Sequence, residues 1–247
     1  MHPVQTLFTQ LKTKCQYPRG VIPVPFMLGR TAFFPGGAGL WGTDPQKPLP
    51  PFPVEKVMVL GNNFGSTDGN NGWKECVARD GDILEGPAWT NLISLWKKAN
   101  IVLEKCFFTN AYMGLIEGED QTATFPGAND PAYLKWARPF FIEQLKAQLP
   151  KLIIVLGVPA RDFIAAMSNS LTSWRSCKNW KELDASSAGP VVTNVSFAQL
   201  PGWSTVVVAL LHTCFRGPNL RYRSYHGATG DSAELAMLRD GGKLSGV

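Results

Sequence analysis

No stretch of this sequence is long and apolar enough to cross a bilayer. Its longest apolar runs, Leu152–Leu156 and Val206–Leu211, fall far short of the roughly 20 residues that a spanning helix needs. Histidine is scarce, with only His2, His212 and His226 in 247 residues, so imidazole chemistry has few places to reside. The five cysteines, Cys15, Cys76, Cys106, Cys177 and Cys214, are odd in number, and no two are separated by only two or three residues. That spacing excludes a zinc ribbon or a closely spaced iron–sulfur motif and suits reduced thiols in a cytoplasmic protein. Charged residues make up only 17%, against 45% hydrophobic, which excludes a disordered chain and favours a packed core. The N-terminus lacks a basic start followed by an apolar stretch, so no signal peptide is expected. The net charge of +5 is compatible with a polyanionic partner without demanding one.

Proline and glycine divide the chain in two. Residues 1–53 carry Pro23, Pro25, Pro35, Pro45, Pro48, Pro50, Pro51 and Pro53, which oppose long helices and favour extended segments and turns. Phe26, Phe33, Phe34 and Trp41 in this segment predict that it packs as an extension onto a main domain over residues 54–247. Residues 37–42 formally match G-x-G-x-x-G. No clear strand precedes them and Thr43-Asp44-Pro45 follows, so a glycine-rich turn is the better reading than a dinucleotide loop.

From Glu55 onward a βα rhythm appears. Val57–Leu60, Cys106–Thr109, Leu152–Leu156 and Thr205–Leu211 are apolar without alternation, as buried parallel strands are. Helical patterns lie at Ala88–Ala99, Pro131–Leu149, Val158–Met167 and Asp231–Arg239, the second with Asp130 as N-cap and Pro131 at N1. The alternation predicts an α/β fold, a three-layer α/β/α arrangement on a central four-stranded parallel sheet. In such sheets the ligand site lies beyond the C-terminal strand ends. Those ends carry Asn62, Asn63, Phe64 and Gly65 after the first strand and Asn110 after the second. Gly157 to Arg161 follow the third, and His212 to Pro218 the fourth. Each residue alone has an ordinary reading, as a turn, a cap or a satisfied core group. Together, two amides and an imidazole on neighbouring strand ends point to one cleft. Asp68, Asp80, Asp82 and Glu85 are read as solvated loop residues rather than metal ligands.

At these positions the chain resembles the uracil-DNA glycosylase superfamily. Residues 57–65 look like a first motif of strand plus G-x-[ND]-P-[YG]. Phe108-Thr109-Asn110-Ala111 looks like the strand-end asparagine that reads the uracil edge. Arg138-Pro139-Phe140 through Leu156-Gly157 and Ala160 resembles the helix–strand–LG segment, and Leu211 to Arg216 the H-P-S-x-[LR] loop. Phe64 stands in place of the first motif's proline, and Thr213-Cys214 in place of Pro-Ser. The resemblance implies a DNA repair glycosylase that flips a base and hydrolyses its N-glycosidic bond, as a monomer, with no metal, no cofactor and no membrane partner.

By that resemblance Asn63 positions the attacking water, and His212 donates to the departing base. Asn110 pairs with the base edge; Phe64 or Trp73 supplies an aromatic wall. Arg216, Arg221 and Arg223, interleaved with Phe215, Tyr222 and Tyr225, read as a DNA-binding loop with Arg216 at the wedge position. Asn-x-Gly in the first motif is similar to the single-strand-selective members. Gly65, where strict uracil enzymes place a blocking tyrosine, implies tolerance of 5-substituted or oxidised uracils. Two rival readings are a non-catalytic nucleic-acid-binding protein of this fold and a hydrolase of free nucleosides or nucleotides.

Overall fold

A computed structural model of the protein describes residues 1–14, 16–25, 32–42, 47–80, 86–120 and 124–247. The chain starts with α1 (Pro3–Lys14) and a two-residue strand, β1 (Val21–Ile22). The first central strand, β2 (Val57–Gly61), is followed by α2 (Thr67–Asp80), α3 (Pro87–Ala99) and β3 (Cys106–Asn110). A short β4 (Leu115–Ile116) pairs with β1. Next come α4 (Pro131–Gln148), β5 (Leu152–Leu156), α5 (Val158–Ala165) and α6 (Trp180–Ala185). Strands β6 (Val191–Ser196) and β7 (Ser204–Leu210) precede a single turn, α7 (Arg216–Asn219). The hairpin β8 (Ser224–Tyr225) with β9 (Ala228–Thr229) then leads into α8 (Gly230–Ser245).

The central sheet has five strands in the order β3-β2-β5-β7-β6. The four apolar runs form its parallel part, and β6 adds an antiparallel edge on β7. The expectation of a four-stranded, wholly parallel sheet is therefore corrected to a mixed, five-stranded one. Strand β6 escapes sequence reading because it lies at the edge and is half exposed. Its register breaks between Val192 and Val195, where Asn194 adopts φ 53°, so it shows neither an apolar run nor alternation.

Strand residues alternate between two cores because successive side chains leave opposite faces. Met58, Leu60, Phe107, Ile153 and Val207 pack with Leu7 of α1, Phe141 and Leu145 of α4 and Ile164 of α5. Val59, Phe108, Ile154 and Val208 pack on the other face with Leu92 and Trp96 of α3 and Met237 and Leu238 of α8. Helices thus cover both faces, and the layers are α/β/α. The α4 start follows its sequence signals. Asp130 accepts from the Ala132 and Tyr133 N–H groups at 2.9 and 3.4 Å, and Pro131 occupies N1.

Residues 33–40 run along the outer edge of β3. The Phe34 N–H donates to Phe108 O at 2.9 Å, and the Phe108 N–H donates to Gly39 O at 2.8 Å. The glycine-rich run is thus an edge-covering turn. Asp68 and Asp80, read from sequence as loop residues, belong to α2, whose sequence lacks an apolar stripe to betray it. Asp82, Glu85 and Phe26 lie outside the described residues. Among the described residues, no helix is long and apolar enough to cross a membrane.

Candidate active site

The parallel strands end level with one another, since Gly61 pairs with Asn110 and Leu156 with Leu210. A cavity of about 280 Å³ opens at this edge. Phe33, Phe64, Trp89, Leu92 and Leu156 supply its apolar walls, and Asn63, Asn70, Asn110 and His212 its main polar groups. The cleft expected from the strand ends therefore brings Asn63, Phe64, Asn110 and His212 together.

Asn110 reaches this cavity by lying across the end of β2. A Cβ on Gly61 would sit only 2.2 Å from Asn110 Oδ1, so glycine at 61 is what lets the amide pass. Asn110 is 4% exposed and lines the cavity.

Asn63 is held by an Asx turn, its Oδ1 accepting from the Gly65 N–H at 3.0 Å. Gly65 adopts φ 71°, a left-handed conformation that strains other residues. The turn commits one lone pair of the Asn63 oxygen and leaves Nδ2 free to donate. Gly65 itself lines an adjoining groove rather than the cavity, so Phe64, packed against Gly36, sets the cavity's width on this side.

His212 follows β7. Its Nδ1 faces the Cys214 N–H at 3.3 Å, an arrangement that makes Nδ1 the acceptor and puts the ring proton on Nε2. Burial lowers the His212 pKa below its ordinary 6.5, favouring the neutral ring. The result is a neutral imidazole whose Nε2–H is the available donor. Phe215 packs 5.6 Å from it, ring centre to ring centre.

A groove of about 760 Å³ adjoins the cavity and shares Asn63, Phe64 and His212 with it. Trp180, Phe215 and the Gly157–Pro159 start of α5 line its remaining length. Phe215 is 51% exposed.

The arginine cluster is corrected in two of its three members. Arg223 is buried, donating to Asp184 Oδ2, Glu234 Oε1 and Ala209 O at 3.0, 3.0 and 2.9 Å. Arg216 also turns inward, to Glu234 Oε2 at 2.8 Å and to Asp231. Neither guanidinium is presented to a DNA backbone. Sequence alone does not show this, because the acidic partners lie on α6 and α8, 11 to 39 residues away, and only folding turns the arginines toward them. Arg221 remains exposed, stacked 4.7 Å over the Tyr222 ring.

Trp73 belongs to α2, but its side chain lies outside the described residues. Sequence reasoning missed Trp89, Leu92, Asn70 and Phe33 as lining residues. Phe33 and Leu92 read as packing residues, and nothing in the sequence aims α2 and α3 at the strand ends. Among the described residues, no cluster of three or more His, Cys, Asp or Glu side chains could hold a metal ion.

No protein-family model matches the sequence, and no curated protein is significantly similar to it. The functional reading therefore rests on the site itself. That site offers a cavity with aromatic and aliphatic walls, the Asn110 amide and a neutral imidazole donor. Such a set suits a flat, polar heterocycle whose carbonyl oxygen gains charge during reaction.

Proposed function

We propose that the protein is a DNA glycosylase of the uracil-DNA glycosylase type, hydrolysing the N-glycosidic bond of uracil or of a 5-substituted or oxidised uracil. The observation that carries this reading is the convergence of Asn63, Asn110 and His212 in one cavity at level strand ends. The run of four parallel strands with helices on both faces is in keeping with that fold family.

In this mechanism the flipped base enters between Phe64 and the Phe33–Trp89 wall, and Asn110 pairs with its polar edge. Bond cleavage builds negative charge on the base oxygen, which the His212 Nε2–H stabilises without proton transfer. An amide is a poor general base, so Asn63 only orients the attacking water; once its oxygen has bonded to the sugar cation, the water is acidic and loses its proton to solvent or to the departed base anion. The groove takes the flanking strand. Phe215, exposed and next to His212, replaces Arg216 as the side chain that fills the gap left by the flipped nucleotide.

The inward turn of Arg216 and Arg223 favours a second reading, a hydrolase of free nucleosides, since it removes two phosphate contacts. Incubation with single- and double-stranded oligonucleotides containing uracil or 5-hydroxymethyluracil, scored for abasic sites, tests the first reading. Abasic sites are expected. Cleavage of free nucleosides alone, or binding without cleavage, would overturn it.

A further inference from the structure

We propose that Glu234 is a positioning residue for His212, its single carboxylate clamping both ends of the loop that carries His212 and Phe215. The proposal rests on reading that loop as the reactive one. Glu234 lies on α8 and is fully buried. Its Oε1 accepts from the Leu211 N–H at 2.7 Å, immediately before His212. Its Oε2 accepts from Arg216 Nε at 2.8 Å, immediately after Phe215. Residues 211–216 are therefore tied at both ends to one side chain of one helix.

Neighbouring groups hold the clamp in place. Arg223 Nη1 donates to Oε1 at 3.0 Å, and Arg216 also pairs with Asp231, one turn earlier on α8. Asp231 in turn pairs with Lys98 at 3.2 Å, and Asp184 takes the far side of Arg223. Three carboxylates thus face two guanidiniums and one ammonium. From α3, Asn91 Nδ2 braces the loop's middle by donating to Thr213 O at 2.9 Å.

The buried core of this cluster, Arg223 with Asp184 and Glu234, yields little net stability relative to apolar packing. Its benefit lies in geometry. Leu211 is the first residue past β7, and a side chain rather than a neighbouring strand satisfies its N–H. With both ends fixed, the short span between them holds the His212 Nδ1 against the Cys214 N–H, which selects the Nε2–H tautomer. Glutamine at 234 would keep one accepting oxygen but turn an NH₂ toward a donor at the other end. One end of the loop would then be released.

The test is nitrogen-detected NMR of the His212 ring in wild type, Glu234→Gln and Leu7→Ala. Leu7→Ala lowers stability through α1, which takes part in none of the hydrogen bonds that tie the loop. Wild type should show one Nε2–H tautomer and a pKa below 6.5. Glu234→Gln should show averaged tautomers and a pKa moved toward 6.5, whereas Leu7→Ala should match wild type. Single-turnover cleavage should fall about 10²-fold in Glu234→Gln, the loss that misplacing a reacting group by about 1 Å brings. If Glu234→Gln does not fold, Arg216→Gln releases the same end of the loop and should give the same His212 signature. An unchanged His212 signature in a folded Glu234→Gln or Arg216→Gln protein overturns the clamp, whatever the activity. A wild type inactive on all DNA but showing the coupled His212 change would retire the glycosylase reading and keep the clamp.

Discussion

At Gly61 a hydrogen in place of a methyl group decides where Asn110 lies. Alanine there would put a carbon 2.2 Å from Asn110 Oδ1, so the amide must swing out of the cavity. Gly61→Ala should therefore reproduce the defect of Asn110→Ala without touching Asn110. Both should lose about 10²–10³ in single-turnover rate, the usual cost of removing one preorganised polar group. Asn110→Ala should keep its melting temperature, because the residue lines the cavity. Full activity in Gly61→Ala would show that Asn110 need not lie over β2. His212 carries a pH prediction with a defined sign. Its folded pKa lies below 6.5, so as pH falls the unfolded chain takes up the proton first. Stability should be flat above pH 6.5, decline between 6.5 and the lower folded pKa, and receive no further loss from this group below that. Urea midpoints from pH 8 to 5 should show this acid slope in wild type and a shallower one in His212→Asn. Equal slopes would mean that burial does not hold the ring neutral.

Elements rather than single side chains decide what the arginines do. Arg223 joins α6, through Asp184, to α8, through Glu234, and both acids are fully buried in their side chains. Arg223→Ala leaves two buried carboxylates short of a partner and should cost about 3–5 kcal/mol in urea unfolding. Arg221→Ala should leave stability unchanged and flatten the log–log salt dependence of DNA binding by about 0.9, as one lost phosphate contact does. A salt effect from Arg223→Ala in a fully stable protein would reverse this assignment. These arginines also mark the limit of sequence reading. Cations alternating with aromatics look alike whether the loop faces solvent or a helix. Deciding between them requires Asp184, Asp231 and Glu234, which become neighbours only after folding. The strand ends were legible for the opposite reason. β2, β3, β5 and β7 are continuous apolar runs, and a parallel sheet forces their ends to one edge, so Asn63, Asn110 and His212 converge by topology alone. Helix α2 was not legible because its first half is polar and carries Gly69 and Gly72, and strand β6 because it is half exposed with a break in its register.

At the scale of the whole molecule, the proline-rich segment belongs to the site as much as to the scaffold. Phe33 and Gly36 line the cavity, and Phe33 packs 5.4 Å from Phe108 and 5.6 Å from Trp89. Residues 34 and 39 hydrogen-bond along β3, which would otherwise be an open sheet edge. Helix α1 buries Val4, Leu7 and Leu11 in the core cluster that holds α4. From sequence, the segment reads as an extension packed on the main body. Its contacts make residues 33–40 a wall of the cavity and the cover of an edge. Deleting residues 1–53 should therefore do more than trim an appendage. The remaining chain should expose the β3 edge and the apolar α4 face, and both favour association through unpaired backbone and apolar patches. It should elute as aggregate and lack a cooperative urea transition. A milder deletion of residues 1–14 removes α1 but spares the β3 cover and Phe33. It should lose stability while keeping single-turnover activity at temperatures where it stays folded. A soluble, cooperatively folding 54–247 fragment with wild-type cleavage would show that the cavity closes without Phe33, and that the earlier residues only decorate it.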